Sequence, residues 1–245
     1  MLGIIGGSGF NQLASLDVSH REVVRTPYGE PSGPVTLGRI AGRQVAFIAR
    51  HGHGHTIPPH RVNYRANIFA LHSLGAKEVV SVASVGGIRA DMAPGVLVAP
   101  DQIIDYTSGR EMTFHDGGNG VVLHVDFTEP YDPGLRARLL ATARRIDEAV
   151  IDGAVYATTQ GPRLESAAEV NRLQRDGADI VGMTGMPEAS LAREMQLPYA
   201  AICVVANWAA GRADSAHGIS FDHIEEILQQ TMGRVRGLIE AFCAE

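Results

Sequence analysis

Leu2-Gly3-Ile4-Ile5-Gly6-Gly7-Ser8-Gly9 is an apolar run that breaks directly into a glycine loop, the pattern of a buried strand ending in a tight turn. Further runs rich in Val, Ile and Ala recur at 44–49, 78–83, 95–104, 153–158 and 199–206. Several are continuous rather than alternating, which suits central strands covered on both faces. Between them, helical spacing puts Tyr64, Ile68 and Leu71 on one stripe of 61–74 and repeats apolar residues from Ile224 to Phe242. Shorter helices are expected at 166–175 and 188–194, and Asp222 with Glu225 reads as the capping box of the last helix. Strands alternating with helices predict an α/β fold. The segment 20–48 reads as antiparallel strands joined across the turn-rich 28–34, so the expected architecture is a mixed, twisted β-sheet flanked by helices. No internal repeat and no Pro/Gly/Ser-rich linker divides residues 1–245, which are expected to form a single domain.

With 45% hydrophobic and 20% charged residues the chain has the composition of a packed globule, not of a disordered or collagen-like one. Its net charge of -6 excludes a whole-chain basic field, so neither nucleic acid nor an anionic membrane is an expected partner. Cys203 and Cys243 are too few for a disulfide framework and fit a reducing compartment. The N-terminal stretch lacks a basic, then apolar, leader pattern, and the expected location is the cytoplasm.

Chemistry is concentrated where strands end. In Gly6-Gly7-Ser8-Gly9, backbone amides and the Ser8 hydroxyl can converge on an anion, although a plain turn after a strand explains the loop equally well. It is neither a dinucleotide fingerprint, which would need glycine at Gln12, nor a Walker loop. Arg50-His51-Gly52-His53-Gly54-His55 closes another strand, and four of the ten histidines fall between His51 and His60. Zinc ligation by alternate histidines is the minority reading, because no carboxylate or cysteine is near in sequence. Arg50 as a two-bond donor to an oxyanion, assisted by His51 or His55, is the majority one. Ser84, just past a third strand, adds a further set of small residues and free amides at the sheet edge where ligands of α/β proteins bind. Glu165 and Glu188 each stand near a helix start, where a negative charge is favourable in any case. Asn207 follows the most apolar strand and needs hydrogen-bond partners if buried. The irregular 107–130, loosest at Gly117-Gly118-Asn119-Gly120, is long for a connection and suits a cover over a site or a subunit contact.

Taken in order, Gly3-Ile4-Ile5-Gly6-Gly7-Ser8-Gly9, Arg50-His51-Gly52, Asn63-Tyr64-Arg65-Ala66-Asn67, Gly161-Pro162-Arg163 and Met183-Thr184-Gly185-Met186-Pro187-Glu188 give the chain its resemblance to the trimeric purine nucleoside phosphorylase and 5'-methylthioadenosine phosphorylase family. The resemblance implies a homotrimer that cleaves purine nucleosides with inorganic phosphate as co-substrate and no metal or organic cofactor. It implies phosphate binding by Ser8, Arg50, His51, Ser84 and Thr184, and ribose against Met183. Glu165 and Asn207 would grip the base, with Asn207, Glu165 and His51 as the catalytic set, and His124 would reach a neighbouring subunit's substrate.

Two departures from the methylthioadenosine pattern carry information. Asn207 stands where those enzymes have an aspartate, and Glu165 where they have a serine, as in 6-oxopurine phosphorylases. A Glu165 carboxylate accepts from N1–H, which hypoxanthine has and adenine lacks, while Asn207 donates to O6 and accepts from a protonated N7. At the other end, Ile219 and Phe221 stand near where nucleoside phosphorylases place a histidine for the 5'-hydroxyl, and an alkylthio group fits them better. The expected reaction is phosphorolysis of 5'-methylthioinosine to hypoxanthine and 5-methylthioribose 1-phosphate. Rival readings are a 5'-methylthioadenosine phosphorylase, a general inosine and guanosine phosphorylase, a nucleosidase, and an inactive nucleoside- or phosphate-binding module.

Overall fold

The computed structural model describes residues 1–10, 13–118, 120 and 122–245; Asn119, part of the expected loose point, lies outside them. The strands are β1 (Leu2–Gly6), β2 (Asp17–Glu22), β3 (Val35–Ile40), β4 (Arg43–Ala49), β5 (Glu78–Gly87), β6 (Leu97–Ala99), β7 (Gln102–Asp105), β8 (Val150–Asp152), β9 (Val155–Thr158), β10 (Ile180–Gly182) and β11 (Tyr199–Trp208). The helices are α1 (Tyr64–Ser73), α2 (Pro133–Arg145), α3 (Ala167–Arg175), α4 (Gly185–Glu194) and α5 (Phe221–Cys243). All of these strands join one mixed sheet. β1 lies parallel to β4 and β5, and β5 parallel to β11. β2, β3 and β4 form the antiparallel meander expected from 20–48.

Each apolar run sits on a strand, but 95–104 holds two. Pro100 interrupts it, leaving β6 to pair with β11 and β8 while β7 pairs with β9. β5 runs past the expected end at Ala83 to Gly87, so that Ser84 lies within the strand, still paired with β11. Two hydrophobic layers sandwich the sheet. Ile68 and Leu71 of α1 and Ala189 and Leu191 of α4 fill one face. Leu135 and Leu139 of α2 and Met232, Val235, Leu238 and Phe242 of α5 fill the other. Each such fully buried Leu, Ile or Phe contributes roughly 1.5–3 kcal/mol, which is why the continuous strands need helices on both sides.

The start of α5 corrects the expected capping box. Ser220, in extended backbone, accepts from the His223 amide and caps the helix, while Asp222 already lies inside the first turn. The capping box is found instead on α3, between Ser166 and Glu169. α2, which the apolar spacing did not reveal, is opened by Asp132 accepting from the Leu135 amide at 2.7 Å, with Pro133 at its first position.

Chain packing at the end of β1 leaves no room for a side chain at Gly6. A Cβ there would lie 2.0 Å from the Phe10 carbonyl oxygen and 2.9 Å from the Phe47 ring. Gly6→Ala is therefore expected to destabilise the protein by about 2 kcal/mol or more, read as a lower urea midpoint with unchanged m-value; an unchanged midpoint would show that the turn yields freely.

Candidate active site

The site originates in a break of pairing along one edge of β5. β1 pairs with β5 from Glu78 to Ser81, and β10 pairs antiparallel with it at Gly86 and Gly87. Because β11 occupies the whole opposite edge, residues 82–85 have no strand partner on the first. β1 and β10 run head-on toward that gap, so the Gly7–Ser8 loop and the Met183–Thr184 turn face each other across it. A cavity of about 690 Å³ opens there. Its lining includes Ser8, Arg50, His51, Ser84, Thr184, Met183, Glu165, Asn207, Ile219 and Phe221. Ten of the eleven residues expected from the sequence are thus brought together, and His124 is exposed outside the cavity.

Arg50 anchors the anion end and is essentially inaccessible. Its Nε donates to one Glu188 oxygen at 2.7 Å and its Nη2 to the other at 2.8 Å. Nη2 also donates to Ser81 Oγ at 2.6 Å, and Nη1 to the Val82 carbonyl at 3.1 Å. This corrects the expected two-bond grip on an oxyanion: the fork holds Glu188, and of the five guanidinium N–H groups one, on Nη1, is left. That nitrogen lies against the loop after β1, since a Cβ on Gly7 would come within 2.7 Å of it. Burial opposes the Arg50 charge, but the adjoining Glu188 carboxylate holds its pKa above the ordinary value. Tyr199 also donates to Glu188, at 2.8 Å. The pair is neutral overall, so an anion placed in the gap would be held chiefly by hydrogen bonds; Ser8, Ser84 and Thr184 line it. Thr184 precedes α4 but makes no side-chain capping bond; its amide donates to the buried Tyr156 hydroxyl at 3.4 Å.

His51 Nδ1 stands 2.8 Å from the Ile57 carbonyl. A carbonyl only accepts, so Nδ1 carries the proton and Nε2 of the neutral ring is an acceptor. Burial, with the Arg50 charge beside it, pushes this imidazole down to about 4. The His55 ring lies 4.7 Å from that of His51, and burial lowers its pKa too. Among the described residues no three His, Cys, Asp or Glu side chains converge as a metal would require.

At the other end, the pairing of β11 with β5 slips by one residue at Ala206, and this bulge sets Asn207 at the cavity wall. Asn207 Nδ2 donates to the Trp208 carbonyl at 2.7 Å, leaving Oδ1 and one N–H unengaged. Glu165 accepts from the Thr159 hydroxyl at 2.5 Å. Ile219, Phe221, Ile224 and Leu228 supply an apolar side, faced by Ile57, Pro58 and Pro59. His217 is exposed and is not part of the lining. The 57–59 wall, Ile224 and Leu228 were not singled out from sequence as site residues. The apolar stripe of α5 contained the last two, but its period could not separate core from cavity positions.

The family model described as Phosphorylase superfamily matches residues 1–244, and the chain belongs to that superfamily. It is 53% identical over 214 residues to a protein of Xanthomonas campestris pv. campestris named a probable S-methyl-5'-thioinosine phosphorylase, covering 87% of this chain and 86% of the relative. It is 42% identical over 245 residues to the 6-oxopurine nucleoside phosphorylase of Pyrococcus furiosus, covering 98% and 91%. Among solved structures, methylthioadenosine phosphorylase from Schistosoma mansoni in complex with adenine superposes with a TM-score of 0.94 at 32% identity, covering 99% of this chain and 90% of that one.

The low His51 value has a consequence for stability. In the unfolded chain His51 takes up a proton near 6.5, but in the folded protein only near 4. The folded state therefore binds fewer protons between these values and loses stability as pH falls from 6.5 toward 4, by up to about 3 kcal/mol. His51→Asn should remove this share, so that its urea stability declines less than the parent's over that window; parallel declines would refute the assignment.

Proposed function

We propose that the cavity binds inorganic phosphate and 5'-methylthioinosine and catalyses phosphorolysis, giving hypoxanthine and 5-methylthioribose 1-phosphate. The observation that carries this reading is the presence, in one cavity, of hydrogen-bonding side chains at the β5 gap, the Glu165 and Asn207 pair, and the apolar Ile219–Phe221 side. A phosphate oxygen attacks C1' while the C1'–N9 bond breaks, the electron pair of that bond passes into the purine, and N7 takes up a proton from water, balanced by the proton that the attacking phosphate gives up to solvent. Asn207 Oδ1 accepts from the protonated N7 of the departing base and its remaining N–H donates to O6. Glu165 accepts from N1–H. With adenine the carboxylate would meet a lone pair instead, at a loss of about 1.5–3 kcal/mol.

The Ser8, Ser84 and Thr184 hydroxyls and the remaining Arg50 N–H donate to phosphate, and neutral His51 accepts from a phosphate O–H. Catalysis is then mainly orientation of the anion and stabilisation of charge on the leaving purine, with no metal or organic cofactor. Met183 packs on the ribose, and the methylthio group lies against Ile219 and Phe221. The names of the Xanthomonas and Pyrococcus relatives support a 6-oxopurine substrate. The fold shared with the Schistosoma enzyme keeps methylthioadenosine as the second reading. The protein works, in this reading, as a cytoplasmic homotrimer in which His124, next to the exposed Val122 and Leu123, reaches a neighbour's cavity.

Base release from 5'-methylthioinosine, 5'-methylthioadenosine and inosine, with and without phosphate, tests this. Phosphate-dependent hypoxanthine release should be fastest from methylthioinosine; faster adenine release would overturn the base site, faster inosine cleavage the apolar side, and phosphate-independent cleavage the phosphorolysis itself. Asn207→Asp should move the kcat/KM ratio toward 6-aminopurines, by about tenfold or more for one altered hydrogen bond; an unchanged ratio would remove Asn207 from base recognition.

A further inference from the structure

Arg110 comes from the irregular 107–130 segment, yet its side chain is buried behind the substrate cavity. Its Nη1 donates to the Met183 carbonyl at 2.8 Å and the Met186 carbonyl at 2.6 Å, and lies 3.3 Å from the Tyr64 hydroxyl. Nη2 donates to the carbonyls of Thr159 at 3.2 Å and Gln160 at 3.0 Å, and Nε to Gln160 Oε1 at 3.2 Å. Five N–H groups thus face six acceptors, each of them a neutral oxygen.

The acceptors belong to separate walls of the site. Met183 and Met186 flank Thr184, and Thr159, next to Gln160, carries the hydroxyl that holds Glu165. Tyr64 donates in turn to the carbonyl of Pro59, which lines the cavity. The guanidinium carbon also sits 5.4 Å from the centre of the Tyr64 ring. The Met183, Thr159 and Gln160 carbonyls lie outside helices and strands, and Met186 sits at the non-helical kink in the first turn of α4; such carbonyls would otherwise need water. A planar donor fork can reach all of them at once, which the single nitrogen of a lysine cannot.

We propose that Arg110 is the positioning residue of this site: it locks the turn bearing Thr184 and the loop bearing Glu165 in register, so that phosphate and base are presented at the correct separation. The loop around Arg110 then acts on the site as a clasp from behind. This rests on the phosphorolytic reading of the cavity, and it assigns to Arg110 no contact with substrate.

The test compares Arg110→Lys and Arg110→Ala with the parent, scored per folded molecule from their denaturation curves. Misplacing reacting groups by an ångström can lower rates about a hundredfold, so kcat should fall by about that factor in both variants, on whichever nucleoside the parent cleaves fastest. Low-millimolar guanidinium, against sodium at equal ionic strength, should restore part of kcat in Arg110→Ala and none in Glu165→Gln. A purely structural role would lower the folded fraction and leave kcat per folded molecule unchanged. Activity within about threefold of the parent, or a loss in folded Arg110→Ala that guanidinium does not relieve, would overturn the proposal. If Arg110→Ala does not fold, Arg110→Lys alone decides by the same threshold. If the parent cleaves no nucleoside, the phosphorolytic reading fails separately. Arg110 is then scored by phosphate and hypoxanthine binding, followed through the fluorescence of Trp208, the chain's one tryptophan: weaker binding in Arg110→Lys supports the clasp and equal binding overturns it.

Discussion

A guanidinium and a carboxylate without access to water govern how the sheet meets its helices. Taking either ion alone from water would cost several kcal/mol, so Arg50 at the end of β4 and Glu188 in α4 must arrive together. Their two parallel hydrogen bonds fix the start of α4 against the sheet, and Ser81, Val82 and Tyr199 complete the set from β5 and β11. Three strands and a helix are thereby registered at one point, directly under the anion end of the cavity. The pair also sets the electrostatics there. An arginine neutralised in advance does not attract anions over distance, and selectivity falls to short, directional bonds.

Much of this arrangement was legible in the sequence because it is local. Valine- and isoleucine-rich runs ending in Gly7-Ser8 or Arg50-His51 announce strand ends, and in a sheet of this class strand ends are the site; the run ending at Ala83 misleads, because β5 continues through Ser84 to Gly87. What escaped was long-range or aperiodic. Glu188 lies 138 residues from Arg50 and is just as acceptable as a charge near a helix start, so its role as the partner that occupies the arginine fork has no local signature. Arg110 sits in a stretch with no period of either kind. The bulge at Ala206 is a matter of register against β5, which one strand alone does not specify. α2 did carry a signal, since Asp132-Pro133 is a cap followed by a favoured first residue. The α5 cap was misplaced because Ser220 and Asp222 both suit an N-terminus, and only the backbone bend between them decides.

The two ends of the cavity are built by different means. Side chains on the bulged end of β11 and on the loop before α3 present fixed polar atoms, each already committed to one internal partner: Asn207 to Trp208 and Glu165 to Thr159. That partial commitment limits the ways in which they can meet a ligand, as a discriminating site requires. The opposite side consists of aliphatic and aromatic surface from α5 and the residues before it, where fit is a matter of volume and a missing or added methylene is worth only about 1–3 kcal/mol. Under the proposed function, recognition would thus be strict at the polar end and graded at the apolar one.

Residues 82–85 give the unpaired edge of β5 a thermodynamic meaning beyond catalysis. The sheet is interrupted between β1 and β10, where the Val82 carbonyl is met by Arg50 and not by a strand, and an oxygen-rich ligand seated there, as proposed, would stand in for the missing strand. Occupancy would then belong to the architecture as much as to turnover: a liganded protein would be the more completely bonded one, and its resistance to unfolding would rise with ligand concentration by mass action. In a cell, the supply of such a ligand would govern how long each copy of the chain survives as well as how fast it works.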